Sequence, residues 1–313
     1  MRELLRDTKI DFVGNIKKYL IVLGAVLLVG VVMLAIFGVD LDINFKGGSR
    51  YSFSFEGDVA LADVETLIVD ATKNKSVEVS ISTDYTGTAK KLVVSLAADA
   101  ADNQSDVILK ALKDKYPSAK FALADSNSVG ASIATTFFIK SIVAVLIAAI
   151  LVVVYIGFRF RLIGGVSAGA MAFVALLVDI IVAFFACVIF RLEIDSNFMA
   201  VVLTIFGYSL NDTVVIYDRI REERKLRPFD SIRSIVNDSI NKTLGRTVST
   251  SVATLLAVLT VLVVAEFFGL TTLRSFAIPM AAGIISGSIS SICLSGPLWV
   301  LWCEKHPKKA KRA

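Results

Sequence analysis

Three charged residues stand where the surrounding sequence is almost wholly apolar. Asp179 sits in Ala175-Leu176-Leu177-Val178-Asp179-Ile180-Ile181, Asp212 in Tyr208-Ser209-Leu210-Asn211-Asp212-Thr213, and Arg246 in Leu244-Gly245-Arg246-Thr247. A charge at the centre of a membrane-spanning helix costs about 2.5–3.5 kcal/mol on insertion scales, so it is rare there without a role in an ion or proton path. A buried carboxylate beside a guanidinium feels two opposed influences: desolvation favours its neutral form and the cation its charged form. Such a group changes protonation when helices move. Asp212 lies about six residues from the end of its apolar run, roughly 9 Å at 1.5 Å per residue. Arg246 opens the next run from the same side, so an ion pair between neighbouring helices is within reach. The same pair also fits a static role, fixing helix register. The residues alone leave both readings open.

Polar residues at helical spacing flank these charges. Thr204, Tyr208, Asn211 and Asp212 follow i, i+4, i+7, i+8 and form one face. Thr243, Thr247, Thr250 and Thr254 form another. Two such stripes line a water-accessible path or hold helices together by hydrogen bonds. Gly283, Gly287, Ser291 and Ser295 recur every four residues, as do Gly165 and Gly169, and read as close-packing faces.

The elements that position these residues follow from composition. The chain is 55% hydrophobic and 19% charged over 313 residues, against roughly 45–50% and about 25% in soluble domains. Six apolar runs account for the excess, at 19–39, 137–158, 162–190, 198–217, 247–265 and 276–302. The basic N-terminal segment 1–18, with Arg2, Arg6, Lys9, Lys17 and Lys18, precedes the first run. That run lacks a cleavage site and reads as an uncleaved membrane helix. Arg159 and Arg161, the basic stretch 218–246 and the tail 303–313, with Lys305, Lys308, Lys309, Lys311 and Arg312, fall on one side. The positive-inside rule makes that side the cytoplasm, so both termini are expected inside. Residues 191–195 and 266–275 become outer loops. The stretch 218–246 is expected to form amphipathic helices at the inner surface. The expected localisation is a membrane crossed several times, with lipid as the surrounding phase.

Residues 40–136 differ. They carry ten Lys/Arg and fourteen Asp/Glu and contain no spanning run. Tyr51, Phe53 and Phe55 alternate as in a strand; Leu61, Val64, Leu67, Ile68 and Ala71 have helical spacing. Val77, Val79 and Ile81 alternate again, Lys91 to Leu96 forms a further strand after the Tyr85-Thr86-Gly87 turn, and Val107, Ile108, Ala111 and Leu112 form a second helix ended by Pro117. Phe121 and Leu123 mark a last strand. The order β-α-β-β-α-β is the ferredoxin-like pattern. The expected fold is therefore a polytopic α-helical membrane protein of six helices with an α+β ferredoxin-like domain outside.

Other chemistry is excluded. The single histidine, His306, sits in the basic tail, which leaves no zinc site or Ser-His-Asp triad. No phosphate-binding loop or dinucleotide fingerprint occurs. Cys187, Cys293 and Cys303 lie in or beside apolar runs, so no disulfide framework is expected. The net charge of +5 belongs to the inner loops and implies no nucleic acid. The reading is of a non-enzymatic chain without metal or cofactor, for which an ion gradient is the source of work.

Three motifs resemble the SecD/SecF family of the bacterial Sec protein-export machinery. They are Ile43-Asn44-Phe45-Lys46-Gly47-Gly48-Ser49 after the first run, Tyr155-Ile156-Gly157-Phe158-Arg159-Phe160 after the second, and the long stretch from Gly207 through Asp218-Arg219 to Glu222. Asn241-Lys242-Thr243-Leu244-Gly245-Arg246-Thr247 and Glu193-Ile194-Asp195 also fit, and the likeness runs from Lys9 to about Trp302. The resemblance implies half of a resistance-nodulation-division (RND) type transporter bundle, completed by a SecD chain. It implies that the membrane is the bacterial plasma membrane, and use of the proton-motive force in late preprotein translocation, with YajC, the SecYEG translocon and SecA as partners. It also implies that Asp212 and Arg246 belong to the proton path, with Asp179 nearby. Val178 stands where the family often has His, and Ala131 where it has Pro. Two further readings remain: a small-molecule or lipid exporter of the same superfamily, and a passive translocon scaffold.

Overall fold

The computed structural model describes residues 10–73, 77–83, 90–97, 104–161 and 164–306. The readings on Arg2, Arg6 and Lys9, the Tyr85-Thr86-Gly87 turn, Leu162, and Lys308, Lys309, Lys311 and Arg312 lie outside these residues.

The small domain forms where alternation and helical spacing predict it. Its elements are β1 (Gly48–Phe55), α3 (Leu61–Thr72), β2 (Val77–Thr83), β3 (Lys90–Leu96), α4 (Gln104–Lys115) and β4 (Ala122–Val129), preceded by the helix α1 (Ile16–Phe37) and the short α2 (Ile43–Lys46). The four strands run antiparallel in the order β2-β3-β1-β4. Tyr51, Phe53 and Phe55 enter one face and pack with Val64 and Ile68 of α3, Ile108 and Leu112 of α4, and Leu92, Val94 and Leu96 of β3. Each such side chain contributes about 1.5–3 kcal/mol through burial, enough to give a small unit its own core.

The last strand departs from expectation. Phe121 is buried before β4 begins, and Leu123 is exposed. The register slips between Ser52 and Phe53, where Ser52 pairs with Asp125 and Phe53 with Leu123. The extra residue, Ala124, is a bulge. Leu123 still lies opposite the inward-facing Phe53, but β4 is an edge strand whose residues from Ala122 to Ser128 are all exposed, so its side chain stays uncovered.

Among the described residues, six helices are long and apolar enough to cross a membrane. They are α1, α5 (Ala131–Arg159), α6 (Gly165–Ile189), α7 (Ser196–Leu226), α8 (Ile232–Phe267), and a last span, Thr271–Lys305. That last span is built from α9 (Thr271–Ser290), a π turn at Ser291–Ser295 and α10 (Gly296–Lys305). The helices α6, α7 and α9 form the buried centre; α1, α5 and α8 keep most of their apolar surface outward. Small residues allow the close approach. A Cβ on Gly283 would lie 2.2 Å from Ile205, and one on Gly287 would lie 3.2 Å from the Cβ of Ser209. The glycine and serine stripe thus packs against α7, as its spacing indicates.

The stretch 218–246 is not a separate surface element. Residues up to Leu226 complete α7, and those from Ile232 open α8. Ion pairs hold the turn between them. Glu223, almost fully buried, meets Arg219 (2.8 Å), Arg227 (2.7 Å) and Lys242 (2.5 Å), and Arg227 also meets Asp238 at 2.8 Å. With no proline between 232 and 246, backbone bonding continues straight into the apolar run.

Candidate functional site

Asp179 lies at the centre of α6 with no solvent exposure. Its carboxylate accepts three hydroxyl hydrogen bonds. Ser286 Oγ donates to Oδ1 at 2.7 Å, and Ser209 Oγ (2.7 Å) and Ser290 Oγ (2.9 Å) donate to Oδ2. One donor comes from α7 and two from α9, so a single carboxylate ties three central helices. The polar chain continues beyond it. Ser291 Oγ lies 3.3 Å from the Ser209 carbonyl, and Thr213 Oγ1 lies 3.2 Å from Ser291 Oγ. Lower in the same seam, Ser295 Oγ donates to the Ser291 carbonyl at 2.9 Å, and Tyr217 Oη donates to the Ala168 carbonyl at 3.1 Å. Ser209, Thr213 and Tyr217 share one face of α7 at i, i+4, i+8. They meet the π turn, a distortion that frees backbone carbonyls and frequently marks functional sites.

Asp212 is also buried, at 3% exposure, yet its Oδ2 has no hydrogen-bond partner. Tyr208 Oη, one turn away on α7, and Thr247 Oγ1, on α8, are likewise buried without partners. A shielded polar atom without a partner forfeits about 1–3 kcal/mol, so these three are a reserve of unused hydrogen-bonding capacity on α7 and α8. Arg246 acts on Asp212 electrostatically, but its side chain is exposed and makes no salt bridge with it. The ion pair within reach of the sequence is therefore not closed in this structure.

The predicted stripes divide. Tyr208 and Asp212 turn inward, whereas Thr204 and Asn211 are exposed, and Thr204 Oγ1 bonds back to the Ala200 carbonyl at 2.7 Å. Four residues at i, i+4, i+7, i+8 span a wider arc than the buried contact, so its edges face outward. On α8, Thr243, Thr250 and Thr254 hydroxyls bond to carbonyls of their own helix, at 3.0, 2.9 and 3.0 Å. Only Thr247 stays buried with a free hydroxyl. The serine donors around Asp179 escaped the sequence reading, because only their meeting across three helices distinguishes them from packing residues. Among the described residues no three or more His, Cys, Asp or Glu side chains gather in a way that could hold a metal ion.

The comparisons bear on this arrangement. The family model described as "Protein export membrane protein SecD/SecF, C-terminal" matches residues 108–305. The protein translocase subunit SecF of Alicyclobacillus acidocaldarius is 33% identical over 311 residues, covering 97% of this chain and 96% of that protein. The chain belongs to the SecF family of Sec protein-export subunits. Its members are multi-pass membrane proteins of a transport machinery, not enzymes. Protein translocase subunit SecDF of Bacillus subtilis is 31% identical over 307 residues; the match covers 96% of this chain but only 39% of that longer protein. The crystal structure of SecDF, a translocon-associated membrane protein from Thermus thermophilus, superposes with a TM-score of 0.79 at 28% identity, over 95% of this chain and 39% of that one.

The residues of the SecF motifs have clear structural work. Gly47 and Gly48 both have positive φ, at 78° and 137°, and a Cβ on Gly48 would lie 2.3 Å from the Leu96 carbonyl oxygen. Only glycine turns the chain from α2 into β1 there. Asp218 pairs with Arg159 at 2.9 Å, joining α7 to the C-terminal end of α5, and Arg219 pairs with Glu222 at 2.6 Å and with Glu223. Asn241 holds the backbone of Ile10 through both of its amide atoms, at 3.0 and 2.8 Å.

Where the small domain meets the helices, Arg50 of β1 bridges Asp42 at 2.8 Å and Glu193 of the α6–α7 loop. Burial raises the Glu193 carboxyl above its usual range, Arg50 pulls it back down, and Asp42 adds to the rise.

Proposed function

We propose that this SecF-family subunit works with a SecD chain to draw on the proton-motive force for late-stage preprotein translocation. Asp212 is the proton-exchanging group and Arg246 its movable counter-charge; Asp179 with its serines is the neighbouring fixed carboxylate of the same path. The observation that carries this reading is Asp212 Oδ2, buried in a membrane helix with no partner. A carboxylate so placed has every reason to take up a proton, and Arg246 approaching it would favour release. One charge crossing 100 mV supplies about 2.3 kcal/mol. The SecDF proteins are each matched over 39% of their length, which supports association with a SecD part that supplies the remainder. SecYEG, SecA and YajC enter as the machinery the family serves. The positive-inside distribution supports cytoplasmic termini and an outer small domain.

The test is export of a secreted reporter in cells carrying Asp212→Asn or Arg246→Met at normal protein levels. Loss of the gradient-dependent part in both is expected. Unchanged gradient-dependent export in both would sink the assignment, and a passive scaffold predicts that outcome.

A further inference from the structure

One loop joins the helix of Asp179 to the helix of Asp212, and the outer domain is fastened to that loop. Arg50 of β1 makes the fastening. Its Nη1 donates to Asp42 Oδ2 at 2.8 Å, its Nη2 to Glu193 Oε2, and its Nε to Ser95 Oγ at 3.3 Å. One guanidinium thus reaches the segment that leaves α1, the α6–α7 loop and strand β3. Its rigid fork of donors can do this where a single ammonium cannot. Asp42 is itself committed, because its Oδ1 caps α2 through the Asn44 amide at 2.8 Å. A backbone bridge lies beside the cluster: Asp42 N donates to the Ile194 carbonyl at 3.1 Å, and Ile194 N to the Asp40 carbonyl at 2.8 Å.

The loop itself has little freedom. Arg191 is held at φ 53° with its guanidinium 5.6 Å from the Phe37 ring, and Asp195 caps α7 through the Phe198 amide at 3.0 Å. The domain has a second footing where Phe45 of α2 stacks on Phe137 of α5 at 5.7 Å and meets Phe138 at 5.5 Å. The Arg50 junction, with the backbone bridge beside it, instead contacts the connection between the two carboxylate-bearing helices, and Arg50 is the part of it that belongs to the sheet of the small domain.

We infer that Arg50 is a positioning residue that makes the outer domain follow the α6–α7 loop as one body, carrying displacements of those two helices to the domain beyond the membrane. Without it, Asp42 and Glu193 face each other as two carboxylates with no cation between them. The consequence for export rests on the proton-coupled reading; the structural consequence does not.

The experiment uses the full chain with Cys187, Cys293 and Cys303 replaced by Ala. Spin labels are placed through Glu65→Cys on α3 and Phe268→Cys in the α8–α9 loop, and their separation is measured in liposomes by pulsed dipolar spectroscopy. A single narrow distribution is expected with Arg50, and one about twofold broader in both Arg50→Met and Arg50→Lys, as an opened junction allows domain motion. In cells, Arg50→Met should reduce gradient-dependent export. Oxidised Leu41→Cys with Ile194→Cys should restore it in that variant, because a covalent bond replaces the ion cluster. An unchanged distribution in Arg50→Met overturns the inference. So does normal export despite a broadened distribution, or a crosslink that blocks export when Arg50 is present. Normal export in Asp212→Asn together with a broadened Arg50→Met distribution would defeat the proton reading and still support the junction.

Discussion

Asp179 and Asp212 lie on adjacent helices, both shut away from solvent, and yet they occupy opposite states. Asp179 is saturated, with three hydroxyl donors from two neighbouring helices. Asp212 has one oxygen without any partner, and the hydroxyls of Tyr208, one turn away, and of Thr247 on α8 are equally unused. Burial alone therefore does not define the role of a charged residue in a membrane helix; the supply of partners does. A carboxylate held by three donors fixes helix positions and resists rearrangement. A carboxylate with spare capacity can bind and release a proton at lower structural cost, which is why the proposed exchange is assigned to Asp212.

The largest effect should come from Asp212→Asn. Gradient-dependent reporter export is expected to fall to the level seen when the gradient is collapsed, while the melting temperature of the purified chain stays close to that of the parent. A stability loss comparable to that of the Asp179 variant would erase the contrast. Asp179→Ala should act mainly on stability. It removes three hydrogen bonds at about 0.6–1.7 kcal/mol each within a membrane, or about 2–5 kcal/mol in all. Denaturation in mixed micelles measures this, and an effect below that of Ser209→Ala alone would contradict the three-donor arrangement.

Gly287→Ala probes the same wall by shape. Its added Cβ would meet Ser209 at 3.2 Å and Asp179 Oδ2 at 3.5 Å, so a cost of about 1–3 kcal/mol is expected from overpacking. Melting curves that match the parent would mean the three helices yield more than their contacts imply. The smallest stability change belongs to Thr247→Val. Replacing a buried hydroxyl that has no partner by an apolar group of similar shape should leave stability within about 0.5 kcal/mol. Export should nevertheless weaken if that hydroxyl serves the Asp212 region, and a stability loss as large as that of Ser209→Ala would show that Thr247 is bonded after all.

Much of the fold was legible because it rests on local periodicity. Tyr51, Phe53 and Phe55 declare a strand by alternation, Val64 and Ile68 a helix by spacing, and the apolar runs declare spans by length. What failed depends on neighbouring elements. Leu123 was misplaced because β4 lies at the edge of the sheet, where its residues from Ala122 to Ser128 stay uncovered, and a strand's place in the sheet leaves no mark on periodicity. The stretch 218–246 was separated from the spans on charge, whereas its ion pairs around Glu223 make it continuous with them. The candidate site was legible in part. Asp179, Asp212 and Arg246 stand out because charge in an apolar run is costly. Ser209, Ser286, Ser290 and Arg50 do not, because serine is common on packed helices and Arg50 sits in an otherwise ordinary polar strand.

The sequence by itself determined the six helices, the β-α-β-β-α-β domain and the short roster of charges within the spans, since each is set by the cost of exposing or burying side chains along one element. The tertiary structure decided which of those charges is satisfied. Partners at Asp179 come from residues 30, 107 and 111 positions away, and the Arg50 clamp reaches across 143. Hydrogen bonds depend on distances of about 3 Å between specific atoms. No periodicity within one helix or strand records which atoms of another will come that close.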